Sequence, residues 1–206
     1  MADAAAPVLG RLPKGRHSLT REQVAEAQRL RLAVALAEAM TEQGYVGTPV
    51  AEILRRAGVS RQTFYELYDD KLACFLDALD LVGAVLLSEL ASVLEGGQPP
   101  HERVERAIVR YLDTITRNPA FARLYLVEVH AAGPAALHRR AALQEQIVDS
   151  LAALLGARTP AGHFACRAYV AAISSLVTVP LATGDLAGIA ALRDPLIEHL
   201  RRLEVR

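Results

Sequence analysis

Strand-forming side chains are scarce in this chain of 206 residues: Val, Ile, Phe and Tyr together number 35. Ala and Leu alone supply 37 and 31, and both favour helices. The shortage excludes a sandwich or barrel and points to an all-α fold. Cysteine is nearly absent. Cys74 and Cys166 stand 92 positions apart, which gives neither a zinc motif nor a disulfide framework. A reducing, cytoplasmic location is expected on that basis. Net charge is zero, which excludes a uniformly basic coat for nucleic acid and an acidic disordered tail. The opening Met1-Ala2-Asp3-Ala4 lacks the basic start and apolar run of a signal peptide. The longest uncharged run, Ala168 to Gly184, has 17 residues and contains Ser174, Ser175, Thr178 and Pro180. A membrane span needs about 20 apolar residues. A buried helix or a subunit interface is the expectation there, with no membrane partner. There is no internal repeat.

Catalytic and metal motifs are missing as well. The six histidines form no His-Glu-x-x-His, and there is no Walker loop and no Gly-x-Gly-x-x-Gly. Glu128 and His130 are two apart and do not share a helix face. A helical enzyme is therefore the weaker reading, and no catalytic residue, metal or cofactor is assigned.

What is present is helical periodicity and its punctuation. Residues 1–19 are broken by Pro7, Gly10, Pro13 and Gly15 and carry a cluster of Arg11, Lys14, Arg16 and His17. This segment reads either as a solvated tail or as a basic arm for phosphates or a minor groove. The first helix begins at Thr20, where Thr20-Arg21-Glu22-Gln23 forms a capping box, and ends at Gly44. In the second, Thr48 is the expected N-cap with Pro49 at the first helical position. Val50, Ile53, Leu54 and Ala57 then make its buried stripe, and Gly58 ends it. The third is capped by Ser60, with Val59 stapled on Phe64. On a helical wheel Phe64 and Leu67 point one way and Gln62, Tyr65 and Glu66 the other.

The fourth helix starts at Asp69-Asp70 and runs to about Glu95. Later helices are expected at roughly 101–116, 119–131, 134–155 and 160–183, with the last starting at Leu186 or at Asp194-Pro195. Three parts result: a basic arm 1–19, a helix-turn-helix head 20–68 and a larger helical domain 69–206.

Two short helices joined by a tight turn, the second capped by Ser, make a helix-turn-helix. Arg61 can pair with guanine and Gln62 with adenine, while the hydroxyls of Tyr65 and Thr48 suit phosphate oxygens. Between Arg11 and Tyr65 there are nine Lys or Arg against five Glu, so a neutral protein carries a basic end. Lys71 lies in the first turn of a helix, against the macrodipole. It is tolerable on a solvated surface, and favourable if a phosphate docks there.

The segment from Thr48-Pro49-Val50 through Ser60-Arg61-Gln62-Thr63-Phe64-Tyr65 to Asp69-Asp70-Lys71 resembles the DNA-binding region of TetR-family transcriptional regulators, over about 50 residues. Many members have His-Phe where this chain has Leu67-Tyr68. The resemblance implies a homodimer with two helix-turn-helix heads and a helical domain that binds a small, apolar effector. It implies binding to a palindromic, double-stranded operator, as a repressor or, alternatively, an activator or a co-repressor-dependent regulator. By the same resemblance Thr48, Tyr65 and Lys71 hold phosphates, while Arg61, Gln62 and Thr63 face bases. Ser60 and the arm residues Arg11 and Arg16 complete the candidate DNA-binding set.

In the larger domain, Tyr111, Tyr125, Glu128 and Tyr169 are the candidate ligand residues. Glu128 lies in a largely apolar helix, as a paired structural carboxylate or as a polar anchor in a pocket. Gly83, in the middle of the fourth helix, is either a site of switching motion or the seat of a close helix crossing. Dimerisation is expected through residues 160–204, with Leu192, Leu196, Leu200 and Leu203 as a second stripe.

Overall fold

The computed structural model describes residues 20–94 and 96–202. Every regular element among them is a helix, so the chain is all-α. The chain separates into two compact units, Met1–Ala78 and Leu79–Arg206.

In the first unit, α1 (Arg21–Gly47) opens with the expected capping box. The Thr20 amide donates to Gln23 Oε1 at 2.9 Å, and Thr20 Oγ1 accepts from the Gln23 amide at 3.2 Å. The helix kinks at Gly44, whose φ of 67° only glycine adopts without strain. α2 (Val50–Ala57) follows, and Gly58 ends it at φ 61°. Ser60 caps α3 (Arg61–Leu67) by accepting from the Thr63 amide at 3.0 Å. The apolar sides of these helices and of the start of α4 (Lys71–Leu94) bury Leu36, Met40, Ile53, Phe64 and Phe75 completely or nearly so. Each such side chain stabilises the unit by about 1.5–3 kcal/mol.

One cap differs from expectation. Pro49, not Thr48, occupies the N-cap of α2, and no side chain caps it. Thr48 is fully buried, and its hydroxyl donates to the Gly44 carbonyl at 2.7 Å. The kink at Gly44 leaves that carbonyl without its helical partner, and the Thr48 hydroxyl, four residues on, supplies the missing bond.

The second unit contains the rest of α4 and then α5 (Pro100–Arg117) and α6 (Pro119–Arg123). A π-helical turn, Leu124–Glu128, leads into α7 (Val129–Ala132), followed by α8 (Pro134–Leu155) and α9 (Pro160–Thr183). Both starts expected for the last helix are helical, as α10 (Leu186–Ala191) and α11 (Arg193–Arg201). Asp185 caps α10, but Asp194 lies inside α11 rather than capping it. Leu124, Leu126, Val129, Val148 and Ile189 form the fully buried centre.

Gly83 is explained by space. A Cβ there would meet the side chain of Leu143 of α8, which reaches over Gly83.

Candidate nucleic-acid interface and ligand cavity

In the first unit, ion pairs tie α2 to α1, and hydrogen bonds tie Tyr68, which ends α3, and Arg29 of α1 to Asp77 of α4. Glu52 accepts from Arg55 at 2.6 Å and from Arg56 at 2.7 Å, and Arg56 reaches Glu42 of α1 at 2.6 Å. The bonds from Arg55 and then Arg56 hold the Glu52 carboxyl at about 2, well below its ordinary range. On the other side, the Tyr68 phenol donates to Asp77, which Arg29 also meets at 3.4 Å. Burial, ahead of the bond to Asp77, pushes the Tyr68 phenol far up. This brace from α1 to the start of α4 has no signal in the sequence, because its residues are 48 and 9 positions apart.

With Phe64 buried, the opposite side of α3 presents Arg61, Gln62 and Tyr65 to solvent, Tyr65 being 49% exposed. Gln62 Nε2 donates to Glu66 Oε1 at 2.9 Å, one turn along the same face. Thr63 is half-buried and its hydroxyl lies 2.9 Å from that of Ser60, so both are engaged in the cap. Thr48 sits inside the unit, as described. Arg11 and Arg16 lie outside the described residues.

Lys71 takes neither of the two situations expected for it. Its Nζ donates to the carbonyls of Tyr45 at 2.7 Å and Thr48 at 3.0 Å, and stands 4.3 Å from the Tyr45 ring centroid. It thus caps the end of α1 with a cation, where the helix dipole favours positive charge. Of three ammonium donors, two are engaged. Burial holds its pKa below the usual lysine value.

The second unit encloses an apolar cavity of about 740 Å³ of atom-free space, its open mouth included. Leu86 and Leu90 of α4, Val104 and Ile108 of α5 and Leu151 of α8 form its apolar side. Tyr111, Tyr125 and Tyr169 line it, as do Gln144 and Ser174. Burial pushes the phenols of Tyr111 and Tyr125 above their ordinary value, so both stay protonated donors. The Tyr169 hydroxyl is already spent on the Leu196 carbonyl at 2.7 Å.

Glu128 is not part of this wall. It is buried, and its Oε1 accepts from Arg123 Nε at 3.0 Å. The two residues are five apart, the spacing that a π-turn brings to one face. Of the two readings of Glu128, the pairing with Arg123 supports the structural carboxylate. The sequence did not mark Gln144, Ser174 or Arg140 beside them; a polar residue on a mixed helix face carries no sign of facing a cavity.

Elsewhere, Glu145, Asp149 and His163 offer ligand atoms within 4.8 Å of one another. Glu145 is also paired with Arg167 at 2.6 Å, and Asp149 is exposed, so this is a surface ion network. Cys74 is buried and its thiol is pushed up to about 12 by burial.

Residues 32–78 match the family model of bacterial regulatory proteins, tetR family. A search of curated proteins found no significant match. Among solved structures, the fatty acid degradation regulator FadR of Bacillus halodurans superposes with a TM-score of 0.75 at 15% identity, covering 84% of this chain and 94% of that one. The transcriptional regulator FadR of Bacillus subtilis, solved in complex with stearoyl-CoA, gives 0.70 at 16%, covering 83% and 96%. A transcriptional regulator of Rhodococcus sp. gives 0.66 at 24%, covering 85% and 95%. The matched segment runs from the middle of α1 through α2 and α3 to the start of α4, and on α3 Arg61, Gln62 and Tyr65 stand clear of the core. Residues 32–78 thus match the family model of bacterial regulatory proteins, tetR family, and the chain shares its fold with these regulators.

Proposed function

We propose that this protein is a ligand-responsive transcriptional regulator, a repressor that binds a palindromic operator as a homodimer and leaves it when a small apolar effector fills the cavity. The observation that carries the reading is the exposure of Arg61, Gln62 and Tyr65 on one side of a helix whose other side buries Phe64 completely. Arg and Gln are the side chains whose paired donors and acceptors match the major-groove edges of guanine and adenine. Arg61 and Gln62 read bases and Tyr65 holds a phosphate; Lys71 and Ser60 support them by fixing the ends of α1 and α3.

The homodimer is supported by α9. This helix is long and apolar enough to cross a membrane, yet only 22% of its most apolar window is buried. Phe164 and Val179 are more than two-thirds exposed. A partner copy covering this face removes the exposed apolar surface. Leu196 and Leu200, expected in the same interface, are instead buried within their own subunit, and Leu203 lies outside the described residues. Two-fold protein symmetry calls for a two-fold operator with half-sites about 34–36 Å apart.

The effector reading is supported by the apolar wall of the cavity and by the stearoyl-CoA bound to a protein of the same fold. α4 contributes both to the first unit's core, through Phe75, and to the cavity, through Leu86 and Leu90. An effector that releases DNA must bind more weakly to the operator complex, by the same factor in which it weakens DNA binding. The protein is accordingly a regulator and not an enzyme, working in the cytoplasm without a cofactor. Footprinting on DNA upstream of its own gene tests the reading. A protected palindrome supports it, and absence of protection at any position under low salt contradicts it.

A further inference from the structure

The polar end of the cavity has an unused positive charge behind it. Arg140 of α8 lies against two wall residues: its Nη2 donates to Ser174 Oγ at 2.7 Å, and its guanidinium stands 5.5 Å from the centroid of the Tyr125 ring. Its Nε is buried without an acceptor, and no carboxylate pairs with it among the described residues. The neighbouring Arg139, by contrast, pairs with Asp80 at 2.9 Å. A half-buried cation with no counter-charge is costly unless an anion or strong acceptor completes it.

The wall in front of Arg140 is built from donors. Ser174 Oγ accepts from Arg140, which leaves its own O–H to donate. The phenols of Tyr111 and Tyr125 and the amide of Gln144 line the same cavity and make no hydrogen bond within the described residues. Tyr125 is carried by the π-helical turn, and the irregularity sets its ring against Arg140. The rest of the lining includes Leu86, Leu90, Ile108 and Leu151, which are apolar.

We propose that the effector is a carboxylic acid with a hydrocarbon body, its carboxylate held by the Tyr111, Tyr125 and Ser174 hydroxyls and its charge balanced by Arg140. Arg140 is a positioning residue: it acts through Ser174 and through the field it adds at the phenols, and the hydrocarbon body takes the leucine side. This deepens, and rests on, the reading of the cavity as the effector site.

The test uses matched acids and alcohols. Hexanoate to dodecanoate, and the alcohols of the same lengths, are titrated into the full-length protein by calorimetry. The best acid should bind at least tenfold more tightly than its alcohol. Arg140→Met should remove that preference, weakening the acid tenfold or more while the alcohol changes less than threefold. Tyr111→Phe and Ser174→Ala, which need no buried charge to be removed, should each weaken the acid alone. Should Arg140→Met fail to fold, those two variants carry the test. Equal binding of acid and alcohol overturns the proposal and leaves an apolar effector site intact, as does an equal loss of both in the variants. Binding of neither class at any length overturns both the proposal and the effector reading on which it rests.

Discussion

Lys71 Nζ donates to the carbonyl of Tyr45 at 2.7 Å, so the first residue of α4 caps the last turn of α1. A lysine at a helix start faces the wrong end of its own dipole, and here the C-terminal carbonyls of another helix compensate it. Lys71→Met keeps the hydrocarbon stem and orphans the Tyr45 and Thr48 carbonyls. It should cost about 1–3 kcal/mol of stability in urea unfolding. An unchanged midpoint would show that the two bonds add nothing to the fold.

The Glu52 carboxyl should set part of the acid stability. Arg55 and Arg56 hold it at about 2, against an ordinary value of 4.5. A lowered folded-state value means that its contribution is complete above pH 4.5 and is lost as pH falls towards 2. The difference in urea midpoint between the wild type and Glu52→Gln should therefore be constant from neutral pH down to about pH 5 and shrink below it. A difference that grows on acidification would contradict the pairing.

Gly83→Ala sets helix propensity against space. Alanine gains about 1 kcal/mol in a helix, and overpacking costs about 1–3 kcal/mol. With a Cβ placed 2.4 Å from Leu143, the melting temperature should fall. It should recover in part when Leu143→Ala is added, as coupled neighbours do. A raised melting temperature in the single variant would mean that α8 yields freely.

Both thiols should be silent in the folded protein. Cys74 is buried with its thiol at about 12, and burial raises Cys166 as well. Since the thiolate is the reactive form, a colorimetric thiol reagent should titrate neither until denaturant is added. Rapid native reaction of either would show an opening of its helix.

Local signals made the head legible in the sequence. Thr20 with Gln23, Gly58, and Ser60 ahead of Phe64 each act within four or five residues, and each forms the cap or turn expected of it. Thr48 was misjudged because its hydroxyl has two competing uses, forward to α2 or back to Gly44, and only the kink at Gly44 decides between them. In the second unit the periodicity located the helices but not the π-turn, which shifts Glu128 by one residue onto Arg123. Tyr111, Tyr125 and Tyr169 do meet at one cavity, whereas Arg140 and Ser174 are 34 positions apart and come together only by packing.

Selection of binding sites from random double-stranded DNA, by the wild type and by Arg61→Ala and Gln62→Ala, is the most direct measurement of whether α3 reads DNA. The wild type should select an imperfect palindrome. Each variant should lose preference at one base position per half-site, with an affinity cost of about 1–3 kcal/mol for the wild-type operator. No selected palindrome, or base preferences and affinity unchanged in both variants, would contradict the assignment of α3 as the recognition helix.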